Sequence, residues 1–339
     1  MNVKEAIAKV VEGGDLDRTQ ASQVAGCVMR GEATAAQIGG LLVAMRMKGE
    51  TVEEIAGFVT AMRENAVRCP VTIPVIDIVG TGGDKSGTFN ISTTTAFVVA
   101  GAGSHVAKHG NRGVSSKSGA ADVLSELGVD LDLSPEQVAD CVERAGVGFL
   151  FAQAFHPAMR HVGPVRGELG VRTIFNLLGP LTNPAGTKRL VVGVFHRRWC
   201  RPLAEALSLL GTERTWVVHG SDGLDEITTT GSTHVAAWDG EQVTEFDILP
   251  EDGGLPLSVP SDLKGGDARE NAGILRSILS GQRGPKRDIV VLNAAAALVV
   301  GGRAPDLAAG ARMAETSIDS GKALLALETL VATSRAFRP

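Results

Sequence analysis

Apolar residues near the amino terminus fall at helical spacing: Ala6 and Ile7, Val10 and Val11, Val24, Val28 and Met29, then Ile38, Leu41, Leu42 and Met45. Side chains three and four apart share one helix face, so residues 1–70 are expected to be helical only. Thr51-Val52-Glu53-Glu54 has the form of a capping box ahead of Ile55, Phe58, Val59 and Met62. The period changes at Val75–Val79, a short run rich in β-branched residues that predicts a buried parallel strand. From there strand and helix signals alternate. Ser134-Pro135-Glu136-Gln137 opens a helix with proline at its first position. Residues 190–195 and 215–218 read as strands, and Trp238-Asp239-Gly240-Glu241 joins 233–238 to 242–246 as a hairpin. Residues 251–268, rich in Gly, Pro and Asp, read as a loop. The chain then returns to helix, with so little charge around Ala294–Val300 that this helix should be buried. The expected architecture is α/β: a small all-helical N-terminal domain plus a larger α/β domain with a mostly parallel central sheet flanked by helices.

Composition narrows the class. A chain of 339 residues is long enough for two domains, and 44% hydrophobic with 21% charged residues gives it a sizeable core. Cys27, Cys69, Cys141 and Cys200 are widely spaced, without a Cys-x-x-Cys pair, which predicts reduced thiols and no zinc site. No apolar segment follows Lys4, and no run approaches the ~18 apolar residues of a membrane span, so a cytoplasmic protein is expected. A net charge of −5, no Tyr and three Trp leave neither a basic surface nor stacking platforms for nucleic acid.

Within this acidic chain there is one acid-free island. No carboxylate lies between Asp84 and Asp122, whereas Lys85, Lys108, Arg112 and Lys117 do. Gly80-Thr81-Gly82-Gly83 follows the first strand and would let backbone amides approach a ligand. Asn90-Ile91-Ser92-Thr93-Thr94-Thr95 then opens an apolar helix whose first turn offers hydroxyls, unpaired amides and the positive end of the dipole. Two familiar phosphate motifs fail: Asp84 stands where a Walker loop needs glycine before Lys-Ser, and Lys85 stands where a dinucleotide fingerprint needs its last glycine. A plain Gly-rich turn would account for the first island alone. A second island, Lys108 to Gly119, again joins glycines, hydroxyls and cations after a strand ending near Val106. Two such loops suit a ligand with several phosphates, or a phosphate and a sugar.

These islands resemble those of the anthranilate phosphoribosyltransferases. The resemblance continues through Arg160 to Arg166, through Arg172-Thr173-Ile174-Phe175-Asn176-Leu177-Leu178-Gly179-Pro180-Leu181-Thr182-Asn183-Pro184, and through His219-Gly220-Ser221-Asp222-Gly223-Leu224-Asp225-Glu226, spanning nearly the whole chain in family order. It implies reaction of 5-phosphoribosyl-1-pyrophosphate (PRPP) with anthranilate, giving N-(5-phosphoribosyl)anthranilate and pyrophosphate in tryptophan biosynthesis, with Mg2+. It further implies that Gly80, Gly83, Asp84, Thr88, Asn90, Ile91, Ser92, Thr93, Lys108, His109, Gly110, Asn111, Arg112, Gly113, Val114, Ser115, Ser116 and Ala120 hold PRPP. Gly80, Asn111 and Arg166 would contact anthranilate, and Ser92, Asp225 and Glu226 would serve the metal. Two departures are Gly167, where a second basic residue is expected after Arg166, and Gln153-Ala154 before Phe155. In the family residues 163–186 return to the helical domain, giving domains of 1–70 with 163–186, and of 71–162 with 187–339.

Each of these residues has a plainer reading. Asp225-Glu226 alone would pass for a solvated acidic turn, and Arg166 for a surface helix arginine. His109 could be a general acid or base, or a polar residue shaping its loop; because the aromatic amine is already neutral, binding or positioning is favoured. His156 and His161 read as structural. Competing functions are a pyrimidine nucleoside phosphorylase, whose second island would read Lys-x-Ser-Gly-Arg-Gly, and a non-catalytic nucleic-acid-binding relative, which −5 disfavours. A homodimer is expected from the resemblance, and from Ile38, Leu41, Leu42, Met45 and Phe58, more apolar residues than one short bundle easily hides.

Overall fold

A computed structural model describes residues 1–113 and 117–337. Four helices come first: α1 (Val3–Val11), α2 (Arg18–Met29), α3 (Ala35–Lys48) and α4 (Val52–Glu64). Each starts on a reciprocal cap. Asn2, Asp17, Thr34 and Thr51 accept from the amides of Glu5, Gln20, Gln37 and Glu54, whose side chains return to the cap amides. Glu54 is wholly buried because it also accepts from the Leu16 amide at 3.0 Å and from Lys48 Nζ at 3.0 Å.

The α/β part runs β1 (Ile76–Gly80), α5 (Ile91–Gly101), β2 (Val106–Gly110), α6 (Ala120–Leu127), α7 (Pro135–Ala145) and β3 (Val147–Phe151). Short helices α8 (Ala152–Phe155), α9 (Gly163–Leu169) and α10 (Phe175–Leu178) follow, then β4 (Arg189–Gly193), α11 (Cys200–Leu209), β5 (Arg214–Gly220), β6 (Thr233–Trp238) and β7 (Val243–Ile248). The chain closes with α12 (Ala268–Leu279), α13 (Pro285–Val300), α14 (Leu307–Asp319) and α15 (Lys322–Ala336). The strands form one seven-stranded sheet, ordered β3-β2-β1-β4-β5-β6-β7. The first five in that order are parallel, and β6 and β7 pair antiparallel. The mostly parallel sheet beside a helical amino-terminal unit is the architecture expected.

Alternation along the strands divides the core. Leu190 and Val192 pack with α1–α4 and α11, while Val191 faces the cluster of α5 and α12–α15. α13 is buried along its length, as its lack of charge predicts. The stretch 162–181 packs with the first four helices: the Phe175 ring meets Phe58 edge-on at 6.1 Å, and Arg63 Nε donates to the Leu181 carbonyl at 2.9 Å. Ile38, Leu41, Leu42, Met45 and Phe58 are all buried inside this single chain, at 2% exposure or less. The expectation that they leave an apolar face for self-association is thus corrected. They close the bundle on itself and on the sheet.

Candidate active site

β1 lies at the point where chain order reverses across the sheet, with β2 on one side and β4 on the other. In parallel sheets the crevice at the carboxyl ends of strands flanking such a point is a favoured ligand site. There Gly80 of β1 is the register partner of Gly193 of β4. A Cβ on Gly80 would collide with the Asp225 carboxylate, and one on Gly193 with the Asp225 backbone carbonyl. The two glycines therefore admit the Asp225-Glu226 loop directly onto the strand ends.

Residues 81–87 form the first of the two candidate loops. Gly82, Gly83, Lys85 and Gly87 have φ of +69°, +76°, +60° and +66°. These are left-handed conformations, natural for the glycines and unfavourable for Lys85. The Thr81 amide donates to the Gly193 carbonyl at 2.9 Å, the Gly82 amide to Asp225 Oδ2 at 2.6 Å, and the Ser86 amide to Asp84 Oδ1 at 3.2 Å. From the far side, Arg172 donates to the Gly83 carbonyl and lies over the Phe195 ring at 4.0 Å. Thr88 bridges to Lys264, whose ammonium donates to the Ser86 carbonyl.

α5 begins beneath this loop. Asn90 does not cap it with its side chain, which instead accepts from Asn271 Nδ2 at 2.9 Å. First-turn amides are thereby left for other acceptors. The Ser92 amide donates to Glu226 Oε1 at 3.2 Å. Ile91 and Thr93, both expected at the ligand, are buried. Lys108, in the middle of β2, sends its ammonium to the Ile78 carbonyl at 2.7 Å and to Ser92 Oγ at 3.3 Å. Burial pushes its pKa down, against the pull of Asp77, Glu226 and Asp225.

The carboxylates are perturbed in the opposite sense. Burial, reinforced by the neighbouring Asp84, pushes Asp225 up to about 7. Burial and the adjacent Asp225 push Glu226 up to about 8. Such crowding of acids disfavours their ionised forms until a cation joins them. Asp84 and Ser92 are thus neighbours of Asp225 and Glu226, although among the described residues no three Asp, Glu, His or Cys side chains converge as a ready metal cage.

The second loop is organised by Asp122, a residue not singled out in the sequence. Its carboxylate accepts from the Gly113 and Gly119 amides at 2.9 Å each and pairs with Arg112 at 3.0 Å. Against the penalty of burial, these bonds hold its pKa below the usual range. Gly110 closes β2, where a Cβ would press on the Phe149 ring and on Ala120 at the start of α6. Asn111 Oδ1 accepts from the Arg112 amide at 2.8 Å, and the Arg112 guanidinium sits 5.6 Å from the Phe151 ring centre. Val114, Ser115 and Ser116 lie outside the described residues.

A third group of residues faces the cleft from 156–183. Asn183 Nδ2 donates to Asp77 Oδ2 at 2.7 Å and to the Ala107 carbonyl at 2.8 Å, tying this segment under β1 and β2. His109 Nδ1 lies 3.1 Å from the Gly179 carbonyl and so carries the proton, leaving Nε2 a buried acceptor without a partner. Burial and the nearby His156 ring, 5.1 Å away, push His109 down to about 3. Burial likewise brings His156 to about 4. Two neutral imidazoles therefore line this place, and His156, expected to be structural, stands beside His109. Arg166, half-buried on α9, lies over the Phe175 ring at 5.7 Å and forms no ion pair among the described residues. A cavity of about 450 Å³ between α12 and α13, lined by Asp262, Ile274, Ser277, Arg283 and Lys286, contains none of the expected site residues. Converging chemistry rather than cavity size marks the site.

Residues 4–66 match the model of the glycosyl transferase family helical bundle domain, and 72–324 that of the glycosyl transferase family a/b domain. An anthranilate phosphoribosyltransferase of Rhodopseudomonas palustris (strain TIE-1) is 56% identical over 338 residues, 99% of each chain. One from Bradyrhizobium sp. (strain BTAi1 / ATCC BAA-1182) is 56% identical over 333 residues, 98% of this chain and 99% of the relative. The crystal structure of anthranilate phosphoribosyltransferase from Thermus thermophilus superposes with a TM-score of 0.93 at 47% identity, covering 97% of this chain and 99% of that one. The Saccharomyces cerevisiae enzyme in complex with PRPP and Mg superposes with a TM-score of 0.91 at 28% identity, covering 99% and 98%.

Proposed function

The chain belongs to the anthranilate phosphoribosyltransferase family, and on that premise we infer its reaction. It transfers the phosphoribosyl group of PRPP to the amine of anthranilate, giving N-(5-phosphoribosyl)anthranilate and pyrophosphate, in tryptophan biosynthesis. One observation carries this reading to the site: the first donor-rich loop and the start of α5 meet Asp225-Glu226 beyond the carboxyl end of β1, and the second loop, which follows β2, meets the same helix start where Asn90 Nδ2 donates to the Ser118 carbonyl at 3.4 Å.

We propose that PRPP lies across both loops, held by the residues named above from Gly80 to Thr93 and from Lys108 to Ala120. The start of α5, where the Ser92 amide now donates to Glu226, supplies donors, and its dipole favours the anion. Ser92, Asp225 and Glu226 are suited to Mg2+: two carboxylates and a hydroxyl are an incomplete cage, and Mg2+ characteristically keeps waters and binds substrate phosphates. When bound, the metal supplies positive charge against the leaving pyrophosphate. The acceptor would lie toward Arg166, Asn111 and the neutral His109–His156 pair. Arg166, without a carboxylate partner among the described residues, is free to pair with that of anthranilate. His109, pushed down to about 3, stays uncharged and offers an acceptor rather than a cation to the amine. The incoming amine is neutral, so the protein's task is to place it against the anomeric carbon and to stabilise charge as the leaving group departs.

We propose two domains, 1–70 with 163–186 and 71–162 with 187–339, supported by the packing of Phe175 on Phe58. A cytoplasmic setting agrees with four free cysteines, and no helix among the described residues is long and apolar enough to cross a membrane. A homodimer rests on the family resemblance alone, and light scattering tests it.

The deciding experiment follows the fluorescence of anthranilate with purified protein. Loss of the signal should require both PRPP and Mg2+, with no phosphorolysis of uridine or thymidine on the same preparation. Release of free base from a nucleoside, with anthranilate unconsumed, would overturn the reading.

A further inference from the structure

The first ligand loop holds four left-handed residues within 82–87, one of them the non-glycine Lys85. Glycines lose the most conformational freedom on ordering, and Lys85 gives up an unfavourable conformation whenever the loop relaxes. Such a segment keeps one shape only if outside groups hold its carbonyls and amides. Four ties come from the α/β part itself: the Gly193 carbonyl on the Thr81 amide, Asp225 on the Gly82 amide, Lys264 on the Ser86 carbonyl, and the Gly265 amide on the Gly87 carbonyl.

The remaining tie is of a different kind. Arg172 belongs to the connection between α9 and α10, whose neighbours Val165, Ile174 and Phe175 pack in the cluster of the helical bundle. Its guanidinium crosses to the loop, donates to the Gly83 carbonyl, and lies 4.0 Å from the centre of the Phe195 ring. Phe195 is itself anchored there, its amide donating to Thr81 Oγ1 at 3.1 Å. Arg172, Phe195, Thr81 and Gly83 thus close a small clasp around the tightest part of the loop. A cation held against a ring face loses little further freedom in making its hydrogen bond. Phe175, the ring beneath Arg166, follows Arg172 closely in the chain, so the clasp shares its segment with the acceptor side of the cleft.

We propose that Arg172 is a positioning residue for the pyrophosphate donor. It holds the Gly82–Gly87 loop in its binding shape from the helical side of the cleft, and so sets PRPP affinity rather than the chemical step. This rests on the transferase reading given above. A charged donor on a carbonyl, stacked and partly buried, is worth about a tenfold change in a local equilibrium.

The test compares Arg172→Ala and Arg172→Lys with the unaltered protein in two measurements. In hydrogen–deuterium exchange without ligand, the amides of 82–87 should exchange about tenfold faster in the alanine variant. Core amides of β4 and α5 should be unchanged. In steady state, the KM for PRPP should rise about tenfold, with kcat and the KM for anthranilate changed less than about threefold. Arg172→Lys restores a donor without the planar guanidinium and should recover part of both effects. Unchanged exchange at 82–87 together with an unchanged KM for PRPP would overturn the proposal. So would equal losses in every parameter with faster exchange throughout the core, in both variants. If the unaltered protein consumed no anthranilate, the transferase reading would fall, while the exchange measurement would still judge the clasp.

Discussion

Asp225→Asn separates what the acidic loop does for the fold from what it does for the reaction. Asparagine keeps the shape of the side chain and an oxygen able to accept from the Gly82 amide, which now lies 2.6 Å from Asp225 Oδ2. It removes a charge that burial and Asp84 make unfavourable, as the rise of Asp225 from 3.8 to about 7 records. Because the folded pKa exceeds the unfolded one, the proton on Asp225 stabilises the fold fully below about pH 4, and that contribution is lost as pH rises toward 7. Each tenfold of proton affinity is ~1.36 kcal/mol, so ionised Asp225 costs the metal-free protein roughly 4 kcal/mol at pH 8. The variant should therefore gain on the unaltered protein as pH rises from 5 to 8, then level off. In metal-free thermal melts at pH 8 it should unfold several degrees higher, at about 1–2 °C per kcal/mol for a chain of this size. Its turnover with Mg2+ should fall at least about a hundredfold, because a metal-binding charge is gone. A stability difference that is flat or reversed across this pH range would refute the account of the acidic loop. Undiminished turnover with the same Mg2+ dependence would refute its assignment to the metal.

Three further outcomes are expected. Arg166→Ala should raise the KM for anthranilate about ten- to a hundredfold, more than that for PRPP, since a charged hydrogen bond contributes roughly 1.5–3 kcal/mol; equal effects on both would make Arg166 structural. Gly193→Ala, whose Cβ meets the Asp225 backbone carbonyl, should lower stability by about 1–3 kcal/mol and activity with it, whereas Gly167→Ala, facing open space on a helix, should gain about 0.5–1 kcal/mol, and similar melting shifts in both would contradict the close approach. His109 is pushed down to about 3, so it stays neutral from pH 5 to 9, and His109→Asn should leave the shape of the pH–rate profile in that range intact; loss of a titration step near neutrality would contradict it.

Much of this architecture is written in local pattern. The capping box at Thr51, the β-branched run before Gly80 and the turn at Asp239-Gly240 each specify their element with residues close in sequence. β3 carries no such mark, because Val147–Phe151 follows α7 directly through Gly146, leaving no separate turn signal. Ile38 and its neighbours do not form the exposed apolar face expected of them because apolar count says nothing of which partner covers a residue, and here the partner is the rest of the chain. Within the site, glycines and hydroxyls are legible because a phosphate needs them in one loop. Asp122 and Arg172 are not: they act on backbone groups 9 and 89 positions away, a relation that only the folded chain contains. His156 offers a faint signal in its place before Pro157, but its pairing with His109 depends on how 156–183 returns beneath the sheet.

We propose that two phosphate-binding loops and one acidic pair serve a single transfer from PRPP to anthranilate. The stoichiometry of that transfer tests it most directly. With purified protein, PRPP and Mg2+, anthranilate consumed and pyrophosphate released should rise together, one for one, and both should stop when Mg2+ is chelated. Pyrophosphate released without loss of anthranilate, or anthranilate consumed equally well in the presence of chelator, would contradict the account.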